Sequence, residues 1–286
     1  MARTPSLADQ AHSDLGDLDA PALRRVIRSG RYRGHTAGLG RGRLHANLAI
    51  LPERLALDFF RYCQRNPKPC PLVGVSDTGD PRIPTLGADL DIRTDVPAYT
   101  VHRAGAPVET VTDIVDLWAP DHVAFALGCS FTFEGALREV GVSLRHIDLD
   151  RTVPMFETDL DTIPAGPFGG GMVVSMRPIP ERDVARVSEI CAAFPQAHGT
   201  PVHAGDPAAI GIADLGNPDF GDPIPVAPGE IPVFWACGVT PQVAIRRAAP
   251  DLFIAHRPGA MLVTDVNERA NPPILDPTNT ETIPHA

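Results

Sequence analysis

The chain has 286 residues, 43% of them apolar and 21% charged, and carries a formal net charge of −10. That composition supports a sizeable core and excludes a wholly disordered chain. Its 25 basic residues are arginines except for Lys68, with no dense basic face of the kind a nucleic acid duplex requires, which excludes nucleic acid as a partner.

In chain order, residues 1–19 read as a flexible N-terminus. Asp19 caps a first helix over Ala22–Ser29, in which Leu23, Val26 and Ile27 recur at helical spacing. A glycine- and arginine-rich loop follows from Gly34 to Arg43, then a buried strand over Ala46–Leu51. Pro52-Glu53 opens a second helix, and Leu72–Val75 is a short strand. The polar, proline-rich stretch 76–97 reads as a long surface connection, and Tyr99–Arg103 with Pro107–Val111 as a hairpin about Gly105. Val123–Leu127 is a strand, Phe131–Val140 a helix, and Leu144–Leu149 alternates like a half-buried strand. Met172–Met176 is a buried strand, Val184–Phe194 a helix, and residues 195–230 mostly loop. Val233–Ala236, Leu252–Ala255 and Met261–Thr264 are strands, with a helix over Pro241–Ala248. Residues 267–286 read as a proline-rich tail. Alternating strands and helices predict an α/β fold over residues 20–266, a mixed sheet flanked by helices, with an inserted α+β subdomain about 85–165 as an option. No internal repeat stands out.

Five cysteines without a CxxC pair argue against a disulfide scaffold or a thiolate zinc site. Lys68, in the rigid Asn66-Pro67-Lys68-Pro69-Cys70-Pro71 loop, is the only residue able to form a Schiff base with pyridoxal phosphate, a poor placement for it. No apolar run resembles a signal peptide or a membrane span, so a soluble cytoplasmic protein is expected.

Two segments share one pattern. In Leu127-Gly128-Cys129-Ser130-Phe131 and Ala236-Cys237-Gly238-Val239-Thr240-Pro241 an apolar strand turns through glycine into a helix. Free amides and the positive end of a helix dipole at such a reversal suit an anion, and a cysteine there would have a lowered thiol pKa. The plainer reading makes Cys129 and Cys237 small residues that allow close packing. The strand at Met172–Met176 delivers Ser175 and Arg177 to one face, where Arg177 either grips a carboxylate bidentately or joins an internal ion pair. The preceding Gly169-Gly170-Gly171 run lies before a strand, unlike a dinucleotide fingerprint. His203 and Asp206 sit in a glycine–proline loop as an acid–base pair, as metal ligands, or with Asp206 merely capping the turn before Pro207; their spacing fits no zinc pattern, and no metal is expected. Glu134 lies in the first turn of the helix after Cys129. His256 and Asp265 lie near the ends of the last strands.

Together Asn47–Pro52, Cys63–Pro71, Gly128–Phe131, Met172–Pro178 and Phe234–Gln242 resemble the signature segments of the hydro-lyase family related to D-glutamate cyclase, over about residues 20–266. His45 stands where members often carry glutamine, and Gly171 where proline is expected. The resemblance implies a lyase without cofactor; a mitochondrial member converts D-glutamate to 5-oxo-D-proline with loss of water. On this reading a small amino or hydroxy acid carboxylate is the partner, and self-association stays open. Arg177 and Ser175 would hold its carboxylate, and the reversals at Cys129-Ser130 and Cys237-Gly238-Thr240 its developing oxyanion. His203, oriented by Asp206, would move protons, with Glu134 in reserve. A dehydratase of a hydroxy acid and a non-catalytic carboxylate-binding module are the alternatives.

Overall fold

A computed structural model describes residues 10–270. The expected N-terminal and C-terminal tails lie outside these residues for 1–9 and 271–286. In chain order the elements are α1 (Ala20–Arg28), β1 (Arg43–Pro52), α2 (Glu53–Arg65), β2 (Leu72–Val75), β3 (Tyr99–Arg103), β4 (Ala106–Val111), β5 (His122–Gly128), α3 (Phe131–Glu139), α4 (Arg145–Asp148), β6 (Met155–Asp161), β7 (Gly171–Pro180), α5 (Val184–Ala192), β8 (His203–Ala204), β9 (Glu230–Ala236), α6 (Thr240–Ala248), β10 (Phe253–His256) and β11 (Leu262–Asn267). The α/β class follows, built from two antiparallel sheets. One has the order β2-β5-β1-β10-β3-β4, with β11 also pairing β1; the other runs β6-β7-β9-β8. None of the described helices is long and apolar enough to cross a membrane.

The two sheets carry an internal repeat that the amino-acid sequence hides. Ala46 faces Gly128 and Asn47 faces Leu127 in one sheet, as Val174 faces Ala236 and Ser175 faces Trp235 in the other. The Cys129 N–H donates to the His45 carbonyl at 2.9 Å, and the Cys237 N–H to the Val173 carbonyl at 2.9 Å. Thr132 Oγ1 accepts the His45 N–H at 3.0 Å, and Thr240 Oγ1 accepts the Val173 N–H at 3.0 Å. In this register Asn47 corresponds to Ser175, Ala49 to Arg177, Cys63 to Cys191 and Glu134 to Gln242.

Each half lends its second helix to the other. Following β5, α3 packs Phe133, Ala136 and Leu137 against Val233 and Trp235 of the second sheet. Following β9, α6 packs Ala244 and Ile245 against Ala49, Phe125 and Phe253 of the first. Burial of these apolar faces, at roughly 25 cal/mol per Å², binds the sheets into one unit.

Two expectations are corrected. The 76–97 stretch is no surface connection: Ile83, Leu86, Leu90, Ile92 and Val96 are buried against Leu48, Ile50 and Tyr99. Its irregular backbone is satisfied by turn bonds such as Leu86 N–H to the Ile83 carbonyl and Ile92 N–H to the Pro81 carbonyl, and by side chains, with Asp95 accepting the Asp91 N–H and Asp91 the Arg93 N–H. Leu144–Leu149 forms no strand, because Leu144 and Ile147 meet the same apolar cluster only at the three-residue spacing of a helical turn.

Close packing at the reversals sets a test. A Cβ at Gly128 would collide with the Gln196 carbonyl oxygen, which is backbone, whereas one at Gly135 would meet only the Glu268 carboxylate, at an ordinary 3.6 Å. Gly128→Ala is expected to cost about 1–3 kcal/mol through overpacking, and Gly135→Ala to cost nothing; thermal denaturation of the two variants checks the difference.

Candidate functional site

Crossing α3 onto the second sheet brings Glu134 to Arg177. Both are buried, at 2% and 1% exposure. Arg177 donates through Nη2 to Glu134 Oε1 at 2.6 Å and through Nε to the same atom at 3.2 Å. Its Nη2 also donates to Ser130 Oγ at 2.9 Å, and Nη1 to Ser175 Oγ at 3.1 Å. The guanidinium lies 5.3 Å from the Phe133 ring centroid and 5.4 Å from that of Trp235, two rings that also meet each other at 5.7 Å, giving it two cation–π contacts. His146, delivered by α4, places Nε2 2.9 Å from Glu134 Oε1. Burial pushes the Glu134 carboxyl up, but His146 and Arg177 outweigh it and hold the group at about 2. All these partners reach Oε1, and Oε2 has no hydrogen-bond partner among the described residues.

Beside this pair is a cavity of about 410 Å³, between the Gly38–Arg43 loop and α3, lined by Glu134, His45, Arg41, Arg138 and Glu268 among others. The loop turns through Gly40 at φ +56°, where a Cβ would overlap Val263. His45 Nε2 is 3.1 Å from the Leu39 carbonyl, which can only accept, so that nitrogen carries the proton. Its Nδ1 is buried without a partner and presents a lone pair. Burial pushes His45 down to about 4, against the opposing pull of Glu134, so the ring is uncharged at neutral pH.

Several assigned roles change. Arg177 holds Glu134, Ser130 and Ser175, so four donor–acceptor contacts with the protein itself stand where the substrate grip was expected. The Cys129 and Cys237 thiols are pushed up by burial, to about 12 and about 11, rather than lowered. At each reversal the amides of Cys129 and Phe131, and of Cys237 and Val239, serve the chain's own carbonyl and sulfur atoms. Gly238 lies against the Asn47 side chain, and Thr240 Oγ1 latches the Val173 backbone. The two cysteines share one apolar cluster, so the reversals do converge, but within packing.

His203 and Asp206 form no pair. His203 Nε2 is 2.7 Å from the Asp206 backbone carbonyl, and the Asp206 carboxylate accepts the Ala208 N–H, capping a turn. His203 is in register with Phe234, on the face of the second sheet opposite Arg177 and Trp235. His256 is buried behind β1, 3.2 Å from Gln242 Nε2, and Asp265 pairs with Arg24 at 2.8 Å. No group of three or more metal-ligating side chains occurs among the described residues.

The repeat shows what the ion pair is for. Burying two charges costs several kcal/mol per ion before their attraction is counted. In the other half the equivalent places hold Gln242 and Ala49, and the same helix-on-sheet contact forms without charge. The ion pair is thus a feature of one half and not of the helix-on-sheet contact in general.

Arg177→Ala alone should lose about 3–5 kcal/mol, because it strands a buried carboxylate. The Glu134→Gln/Arg177→Ala double variant, which copies the neutral half, should recover part of that loss in thermal denaturation. Glu134 sits at about 2 when folded and at about 4.3 unfolded, so its stabilisation is complete above the unfolded value and lost as pH falls toward the folded one. Acid unfolding of the double variant should lack that component.

The chain matches the family model for D-glutamate cyclase over residues 123–265. It is 62% identical over 260 residues to a protein of Dinoroseobacter shibae, covering 91% of this chain and 87% of the relative. It is 64% identical over 254 residues to one of Ruegeria pomeroyi, covering 89% and 92%, and 60% identical over 256 residues to one of Jannaschia sp., covering 90% and 96%. All three bear the name "Putative hydro-lyase". With a family model spanning half its length and relatives this similar along nearly all of it, the chain belongs to the D-glutamate cyclase family.

Proposed function

We propose that this chain is a hydro-lyase acting on a small amino acid, with D-glutamate to 5-oxo-D-proline and water as the reaction that fits the cavity. The observation that carries this reading is Glu134: an ionised, buried residue of the cavity lining, one of whose carboxylate oxygens has no hydrogen-bond partner among the described residues. Arg41 and Arg138 at the same cavity supply positive charge for the substrate carboxylate. Glu134 Oε2 accepts a hydrogen bond from the substrate amine, whose first proton passes to the substrate's own side-chain carboxylate and frees the nitrogen lone pair. The nitrogen then attacks that carboxyl carbon, the C–N bond forms, the nitrogen sheds its second proton, and the C–O bond breaks as the hydroxyl departs with a proton as water. Arg177 and His146 keep Glu134 charged throughout, and so act by positioning.

Incubating the protein with D- and L-glutamate and related dicarboxylic acids, with mass analysis of the products, tests the reading. A product lighter by one water, with no carbon-bound deuterium after reaction in heavy water, is expected. Deuterium at carbon would mean dehydration of a hydroxy acid instead, and a thermal shift without product would mean a binding module. Glu134→Gln in the Arg177→Ala background should lower kcat/KM by about 10–100-fold or more, the worth of one charged hydrogen bond.

A further inference from the structure

The same cavity holds a second carboxyl group that the reaction above does not use. Glu268 follows β11 and is 8% exposed. Its backbone is fixed on both sides: its N–H donates to the Gly42 carbonyl at 3.0 Å, and its carbonyl accepts Gln196 Nε2 at 2.6 Å. The carboxyl lies over Gly135, the neighbour of Glu134 on α3, where a Cβ would stand 3.6 Å from Oε2 and 4.0 Å from Oε1. No hydrogen bond to this carboxyl occurs among the described residues, whereas Glu134 is held by Arg177 and His146.

We infer that Glu268 is the general acid of this site, giving its proton to the hydroxyl oxygen that leaves as water. The inference rests on the proposed function and adds the group that reaction lacks. As the C–O bond of the tetrahedral intermediate breaks, its electron pair stays on oxygen, which takes the Glu268 proton. Glu268 is left as carboxylate and regains a proton from the second one that the nitrogen sheds, so the cycle closes. Two carboxyl groups whose pKa values are pushed in opposite directions in one cavity suit this division of labour. Burial raises the Glu268 pKa, with Glu139 adding to the rise and Arg269 opposing it, while Glu134 stays ionised. The charged groups facing Glu268 across the cavity are Glu134, Arg138 and Glu139 of α3 and Arg41 and Arg43 of the loop.

The test is Glu268→Gln in the full chain. On the acid that the wild type turns over, kcat should fall by about 100-fold or more with KM within about threefold, and the alkaline limb of the pH–rate profile should disappear. Carboxyl titration by carbon NMR, with the variant assigning the Glu268 signal, is read in parallel. A midpoint above the ordinary value of about 4.3 supports the assignment; one at or below it overturns the inference. Turnover within about threefold of wild type also overturns it. Should the wild type convert none of the acids, the proposed function fails, and the titration alone still decides whether Glu268 holds a proton.

Discussion

The site depends on a buried charge pair that the other half of the fold lacks. Glu134 and Arg177 are buried with every guanidinium contact turned inward, and one carboxylate oxygen is left over. Removing such groups from water is unfavourable unless hydrogen bonds and attraction offset it. Ser130, Ser175, His146 and two aromatic faces supply the offset here. The neutral Gln242 and Ala49 at the equivalent place show that α3 could have packed more simply. What the pair provides is a carboxylate fixed in both position and charge.

Repetition explains how one chain builds such a place. Each half is a sheet with a strand that reverses into a helix, and each helix crosses to the opposite sheet. The crossing puts a side chain from the first half, Glu134, beside strand residues of the second, Ser175 and Arg177. Sequence-distant segments thus meet because the halves are exchanged, not because any loop reaches across.

Elements with a strong local pattern were legible in the sequence: β1, β5, β7, α2, α3 and α6 all follow apolar periodicity and proline or glycine punctuation. The 76–97 segment was not, since isolated turns and side-chain caps rather than a repeating ladder satisfy its backbone. Glu134, Arg177, Ser130 and Ser175 stood out in the sequence because their motifs place them on one face or at a helix start, but as groups for a substrate and not as one another's partners. Their mutual pairing was invisible, as it depends on α3 crossing between sheets. His203 and Asp206 misled for the opposite reason: a suggestive spacing in a loop says nothing about which sheet face the loop serves. Arg41, His45, His146 and Glu268 carried weaker signals. The glycine–arginine density of the 34–43 loop and the unusual His45 were the available ones; His146 sat in a segment with an ambiguous period, and Glu268 in what reads as tail.

A crystal structure of the protein with 5-oxo-D-proline or D-glutamate bound tests the central claim most directly. The account predicts the ligand in the cavity between the Gly38–Arg43 loop and α3, with its nitrogen on Glu134 Oε2. Ligand density on the opposite face of the second sheet near His203, or a ligand carboxylate on Arg177 in place of Glu134, would contradict it.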